Sequence, residues 1–314
     1  MYPLTMLEFT SLAPPARRAA CLSIVTSGLI LGLLIARVLS GAVAEFVSWR
    51  AIYWIAFGLQ YLILILLWLF MPDCPSTNPD GFKYHHMLWS IPGLVSRNPL
   101  LAQVCLIGFC SMTIFTSFWT TLTFLLAAPP YNYNSFITGL FAFIGIASML
   151  TSPFYGRYVI DRFVPLFSVI AGELICLTGV AIGTYIGTFT VAGPIIQALL
   201  IDLGIVSTQV ASRSAIYSIE PKARNRVNAA YMISAFCGQM VGTFGGAKLY
   251  ARGGWIASGS ASIGFLGLGL LFCFARGPWE KGWVGWRGGW SIRRRDLDLM
   301  ETQVEELGED LEKA

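Results

Sequence analysis

The chain has 314 residues, of which 55% are hydrophobic and only 12% charged; a soluble globular domain carries about 25% charged residues. With a net charge of only +4, that balance argues against a disordered chain, a nucleic-acid-binding protein and most soluble enzymes. The charges are also segregated, leaving uncharged runs of 22 residues (51–72), 59 (98–156), 28 (174–201), 21 (227–247) and 23 (253–275). A bilayer-spanning helix needs about 20 apolar residues, and a helix satisfies its own backbone in hydrocarbon. The sequence therefore predicts an all-α, polytopic membrane helix bundle.

In chain order the predicted spans are 20–45, 51–72, 100–127, 134–156, 164–187, 189–212, 227–248 and 254–275. The longest uncharged run divides in two at Pro129-Pro130-Tyr131-Asn132-Tyr133-Asn134, a cluster of turn residues. Residues 73–99 form a central loop and 277–314 a tail. Ten basic residues lie in loops on one side (Arg17, Arg18, Lys83, Arg97, Arg157, Arg162, Arg213, Lys222, Arg224 and Arg226), against Arg50, Lys248 and Arg252 on the other. The positive-inside rule then puts both termini in the cytoplasm. The tail begins with Trp279, Trp283, Trp286 and Trp290 and continues through Arg293-Arg294-Arg295 into an acidic stretch. Tryptophan and arginine suit the headgroup region. Leu297, Met300, Val304 and Leu307 at helical spacing read either as a partner-binding surface helix or as a solvated appendage.

Six of the seven cysteines fall in or beside apolar stretches, where a free thiol behaves as a small hydrophobe. No CxxC pair occurs, and His85-His86 lacks acidic or cysteine partners at metal-ligand spacing, so no metal and no cofactor is expected. GxSxG, HExxH and Walker-type loops are also absent from the sequence, which counts against an enzyme or an ATP-driven pump.

An internal repeat is the most informative pattern. At an offset of 206 residues, Pro15, Arg18, Gly32 and Trp49 fall on Pro221, Arg224, Gly238 and Trp255. Each copy reads as a basic loop, a glycine-bearing span, an external tryptophan and another span. Repeats of this kind are a signature of transporter folds. The second copy is preceded by four spans that the first copy lacks, so the pattern reads as about eight spans of an expected twelve.

Gly32-x-x-x-Ala36-Arg37-x-x-Ser40-Gly41 is similar to the GxxxGPxxGG antiporter motif of the major facilitator superfamily. The chain resembles that family over residues 10–276, most closely its drug-exporter-like proton antiporters. Asp202-Leu203-Gly204, then Ser214-Ala215-Ile216-Tyr217 and Pro221-x-Ala223-Arg224-x-Arg226-x-Asn228, resemble the family's tenth helix and following loop, and Gly156–Arg162 its GxxxDR loop with one residue too many. The resemblance implies twelve helices in two halves, with this chain looking like helices five to twelve. Residues 1–72 are then a remnant of the first six-helix half and 100–276 the second half. It also implies movement of a small-molecule substrate across a lipid bilayer by alternating access, coupled to protons. A truncated inactive or regulatory membrane fragment is the alternative.

Three ionisable residues lie well inside spans: Arg37, Glu173 and Asp202. Charges there are costly and mark either pathways or structural partners. Asp202, in a span that resembles a cavity-lining helix, is the first coupling candidate and Glu173 the second. Thr113, Thr116, Thr120 and Thr123 share one helix face, with Trp119 beside it. Thr113, Thr116, Trp119 and Thr120 are expected either to line a substrate pathway or to make interhelical hydrogen bonds. Gly32, Gly41, Gly238, Gly242 and Gly246 are expected to serve helix packing, since small residues four apart let backbones approach closely.

Overall fold

The structure is a computed structural model that describes residues 32, 35–70, 84–145, 162–217 and 224–275. Its elements among these residues are helices: α1 (residues 35–46), α2 (Trp49–Phe70), α3 (Tyr84–Arg97), α4 (Pro99–Ala127), α5 (Ser135–Leu140), α6 (Pro165–Ile186), α7 (Ala192–Tyr217) and α8 (Arg224–Ala275). The stretches 49–70, 99–127, 165–186, 192–213 and 226–275 are long and apolar enough to cross a membrane. The chain is an integral, multi-pass membrane protein built of helices.

The predicted spans fall on these helices where both are described. Span 20–45 is described continuously only from residue 35, and span 134–156 only to residue 145. The acidic tail and the Gly156–Asp161 part of the GxxxDR-like loop lie outside the described residues. The stretch expected to be a central loop contains α3, a helix of 14 residues that tolerates Pro92 inside it. Its proline and low apolar content hide it from a search for spans. The last two spans form α8, which breaks where Gly253 (φ −140°, ψ 15°) and Gly254 (φ 67°, ψ −162°) leave helical geometry. Gly254 holds a positive φ that side chains disfavour and glycine adopts freely.

The turn after α4 follows from its residues. Ala128 O accepts from Tyr131 N at 3.1 Å and Asn132 N at 3.2 Å, and Tyr133 N returns to Leu126 O at 2.8 Å. Asn132 takes the left-handed conformation (φ 50°), which asparagine tolerates best after glycine. Asn134 then caps α5, its Oδ1 accepting from Ile137 N at 3.0 Å. Glu45 Oε2 takes a further donor at this helix start, Ser135 N at 3.1 Å.

The helices divide into two compact units. One holds α1, α2, the beginning of α3, the end of α4 from Thr123, and α5; the other holds the rest of α3, α4 up to Leu122, α6, α7 and α8. In the first, α1 and α5 cross at Gly41 and Gly139. A Cβ on Gly41 would stand 2.8 Å from Ser135 O and 3.1 Å from Gly139 Cα. In the second, α6 and α7 form an antiparallel hairpin. Gly172 meets Gly204 and Thr208, Gly179 meets Leu200, and Gly183 meets Gln197. Each missing side chain lets the facing backbone or side chain come closer, the device by which helices pack without a hydrophobic drive in lipid. Two apolar clusters complete this unit. Leu101, Val104, Cys105, Ile216, Val227 and Tyr231 gather from α4, α7 and α8, while Ile107, Val169, Ala211 and Cys273 gather from α4, α6, α7 and α8.

Candidate functional site

The candidate site lies in the second unit, where α4 packs against α7 and α8. The crossing of α4 and α8 is set by glycines four residues apart. Gly238 lies against the backbone of Phe109, Gly242 against Thr113 O and Thr116 Oγ1, and Gly246 against Ser117, whose Cα and Cβ would be 3.0 Å from an added Cβ. Phe109, Thr113 and Ser117 are themselves four apart, so two matching ridges interlock. In the first unit, Gly41 makes the corresponding close approach. Around Gly32, no described atom lies within 4 Å of where a Cβ would stand.

The threonine face of α4 serves this crossing directly. Thr113 Oγ1 lies 2.8 Å from Phe109 O, one turn back, and 3.0 Å from Gly238 O of α8. Thr116 Oγ1 lies 2.8 Å from Met112 O and 3.1 Å from Gln239 O. Each hydroxyl can thus share its proton between its own helix and its neighbour. Thr120 is half-buried and Thr123 exposed, so the stripe leaves the crossing as α4 proceeds.

Trp119 and Asp202 meet. The indole Nε1 donates to Asp202 Oδ1 at 3.4 Å, and Asp202 is 7% exposed. Phe118 and Phe115 flank the indole edge-on, with ring centroids 5.2 and 6.4 Å from it. Met112 adds a thioether whose Sδ accepts from Gln239 Nε2 at 3.6 Å and from Gln209 Nε2 at 4.0 Å. The seam thus carries two groups seven residues apart along α4 and α7: a carboxyl with aromatic rings at Asp202 and Trp119, and two amides on a thioether at Met112. Such a set can hold a proton or an amphipathic solute; among the described residues no group of three or more His, Cys, Asp or Glu comes together in a way that could hold a metal.

Glu173 stands apart from this set on α6 and is 1% exposed. Ser111 Oγ lies 2.6 Å from its Oε1, and its Oε2 is buried without a hydrogen-bond partner. The Cys176 thiol, which donates to Ile201 O at 3.6 Å, lies near both Glu173 and Asp202. Arg37, in the other unit, is half-buried, and its carbonyl accepts from Ser40 Oγ at 3.0 Å. Sequence reasoning missed Ser111, Gln209 and Gln239. The glutamines carried a readable signal, since a long polar amide inside an apolar span demands a partner. Ser111 carried none, because a hydroxyl in a membrane helix can be satisfied by its own backbone.

Family comparison agrees with this architecture: residues 1–219 match the model of the Major Facilitator Superfamily. The chain belongs to the major facilitator superfamily. It is similar to the uncharacterized transporter YgaY of Escherichia coli O157:H7, at 32% identity over 78% of this chain and 61% of that protein. A probable transporter, SCO4007, of Streptomyces coelicolor is 26% identical over 77% of this chain and 56% of its own length. A probable sugar efflux transporter of Helicobacter pylori is 24% identical over 83% and 64%. The chain thus spans about three fifths of the length of these relatives. Membership in this superfamily also means that the protein is not an enzyme.

Proposed function

We propose that this major facilitator superfamily chain takes part in moving a small solute across the membrane by alternating access, coupled to protons through Asp202. The observation that carries the reading is the enclosed carboxyl of Asp202 on α7, held by the Trp119 indole of α4 among aromatic rings. An acid enclosed in a membrane span is expensive to keep and is the natural place to load and release a proton. Trp119 is the pathway residue in contact with it, and Thr120 follows it on α4. Thr113 and Thr116 support the α4–α8 crossing against which the pathway is built. Glu173 is the second coupling candidate. Both termini face the cytoplasm in this reading, on the strength of the ten-to-three distribution of loop cations.

The test is Asp202→Asn in the protein reconstituted into vesicles and offered a panel of solutes. The amide nearly keeps the size and hydrogen bonding of the acid but removes its titratable proton. Uphill flux driven by an imposed pH gradient is expected to vanish while thermal stability is retained. Undiminished gradient-driven flux in a stable variant would overturn the assignment.

A further inference from the structure

Four helices close around Glu173. Ser111 of α4 contacts its Oε1 at 2.6 Å. Gly269 of α8 leaves room for the carboxyl, with Oε2 only 3.3 Å from where its Cβ would be. From α7, Thr208 places its buried hydroxyl against Gly172 and near the Glu173 carboxyl, without closing a hydrogen bond to it. The other titratable groups around the acid are the thiols of Cys110, Cys176 and Cys273 and the Tyr231 phenol. Arg213 of α7 lies near Tyr231. Among the described residues no lysine, arginine or histidine forms an ion pair with Glu173.

An ionised glutamate here would have only two hydroxyls at hand, Ser111 in contact with Oε1 and Thr208 nearby, and no cation. Ser111 has a single proton and two acceptors in range, Glu173 Oε1 at 2.6 Å and Ile107 O at 2.9 Å. Oε2 would carry negative charge without a closed hydrogen bond, in a membrane interior where an unpaired charge is strongly penalised. A neutral acid resolves each of these conflicts. The carboxyl donates to Ser111 Oγ, Ser111 donates to Ile107 O, and the one oxygen left over is an uncharged carbonyl.

We propose that Glu173 is a proton-binding site distinct from Asp202: a buried carboxylic acid whose proton, passed to Ser111 Oγ, lets α6 pack against α4, α7 and α8. Removing the proton would leave a bare charge where the four helices meet, so the site acts as a proton-dependent clasp on α6. This stands whether or not Asp202 couples transport.

Infrared difference spectroscopy on the full chain in vesicles, with hydrogen–deuterium exchange, reads the site through the carbonyl stretch of a protonated carboxylic acid. The expected result at neutral pH is a band that is lost in Glu173→Gln and kept in Asp202→Asn. Loss of the band in Asp202→Asn alone, or no carboxylic-acid band at all, would overturn the proposal. So would a band that emerges only when sodium is withdrawn, because the site would then hold a metal cation instead of a proton. Should Glu173→Gln fail to fold, Ser111→Ala takes its place. Deleting the acceptor should move the band to higher frequency, and an unmoved band refutes the pairing.

Discussion

Trp49 and Trp255 occupy the same place in the internal repeat, yet their surroundings are opposite. Trp49 is 57% exposed and, among the described residues, meets its chain neighbours, the Arg50 guanidinium at 4.6 Å and the Tyr53 ring at 5.9 Å. Trp255 is 5% exposed and donates to Gly183 O at 2.9 Å. The helices that follow differ in the same way. No residue of α2 is buried. The arm of α8 after the break buries Trp255, Ser258, Gly259, Ser262, Leu266, Gly269 and Cys273, a stripe at helical spacing. At the repeat offset, α2 carries Ile52, Tyr53, Ala56, Gln60, Ile63 and Leu67 after Trp49. Both helices are apolar enough to span a bilayer, but only one presents a face of small residues. Apolar length reports that a segment enters lipid; small and hydroxyl side chains report which face meets protein.

The sharpest way to break this contrast is to enlarge one glycine in each helix. Gly259→Leu drives a side chain into Thr184 of α6, whose Cβ is already 2.8 Å from an added Cβ. Thr184 is fully buried and has little room to yield. Overpacking of this kind costs roughly 1–3 kcal/mol and sometimes more, so a clear fall in thermal stability in detergent is expected. Gly58→Leu in α2 has no described atom within 4 Å of the new Cβ and should change stability by no more than about 0.5 kcal/mol. Equal losses in the two variants would mean that α2 presses on protein as closely as α8 does.

This contrast also marks how far the sequence could be read. The segregated charges and apolar runs located the spans, because the bilayer imposes a length that the residues must meet. Gly238, Gly242 and Gly246 marked a face for close packing, because only small residues permit such approach, but not which helix would meet it. The meeting of Trp119 with Asp202, and of Ser111 with Glu173, was not legible. Those pairs join residues 83 and 62 positions apart, and no local periodicity encodes which face of one helix looks at which face of another. The helix α3 escaped for a different reason: its 14 residues are too few and too polar to be a span.

A second, smaller test exchanges the two tryptophans for phenylalanine. Trp255→Phe keeps an aromatic ring against Phe118, 6.2 Å away, but loses the indole donor to Gly183 O. That carbonyl also accepts from Gly187 N at 3.0 Å, so it is not left bare. The loss should be that of one interhelical hydrogen bond in a membrane, about 0.6 kcal/mol on average and up to ~1.7 kcal/mol. Trp49→Phe, on an exposed face, should be silent in the same melt. A silent Trp255→Phe would show that the buried indole serves only to fill space.

The smallest expected effect separates close fit from hydrogen bonding at the α4–α8 crossing. Thr113→Val keeps the volume beside Gly242 and removes only the hydroxyl that reaches Gly238 O. The Phe109 carbonyl, its other acceptor, belongs to the turn of α4 one step back, so no backbone group loses its helix bond. The cost should therefore sit near the ~0.6 kcal/mol average for an interhelical hydrogen bond, below Trp255→Phe and well below Gly259→Leu. A loss far above that average would mean that the hydroxyl, more than the glycine ridge, holds α8 against α4. Solute affinity measured on the same variant settles the remaining alternative for this threonine. If affinity shifts while stability stays level, Thr113 faces the pathway; if stability falls slightly and affinity is unchanged, its work is to join the two helices.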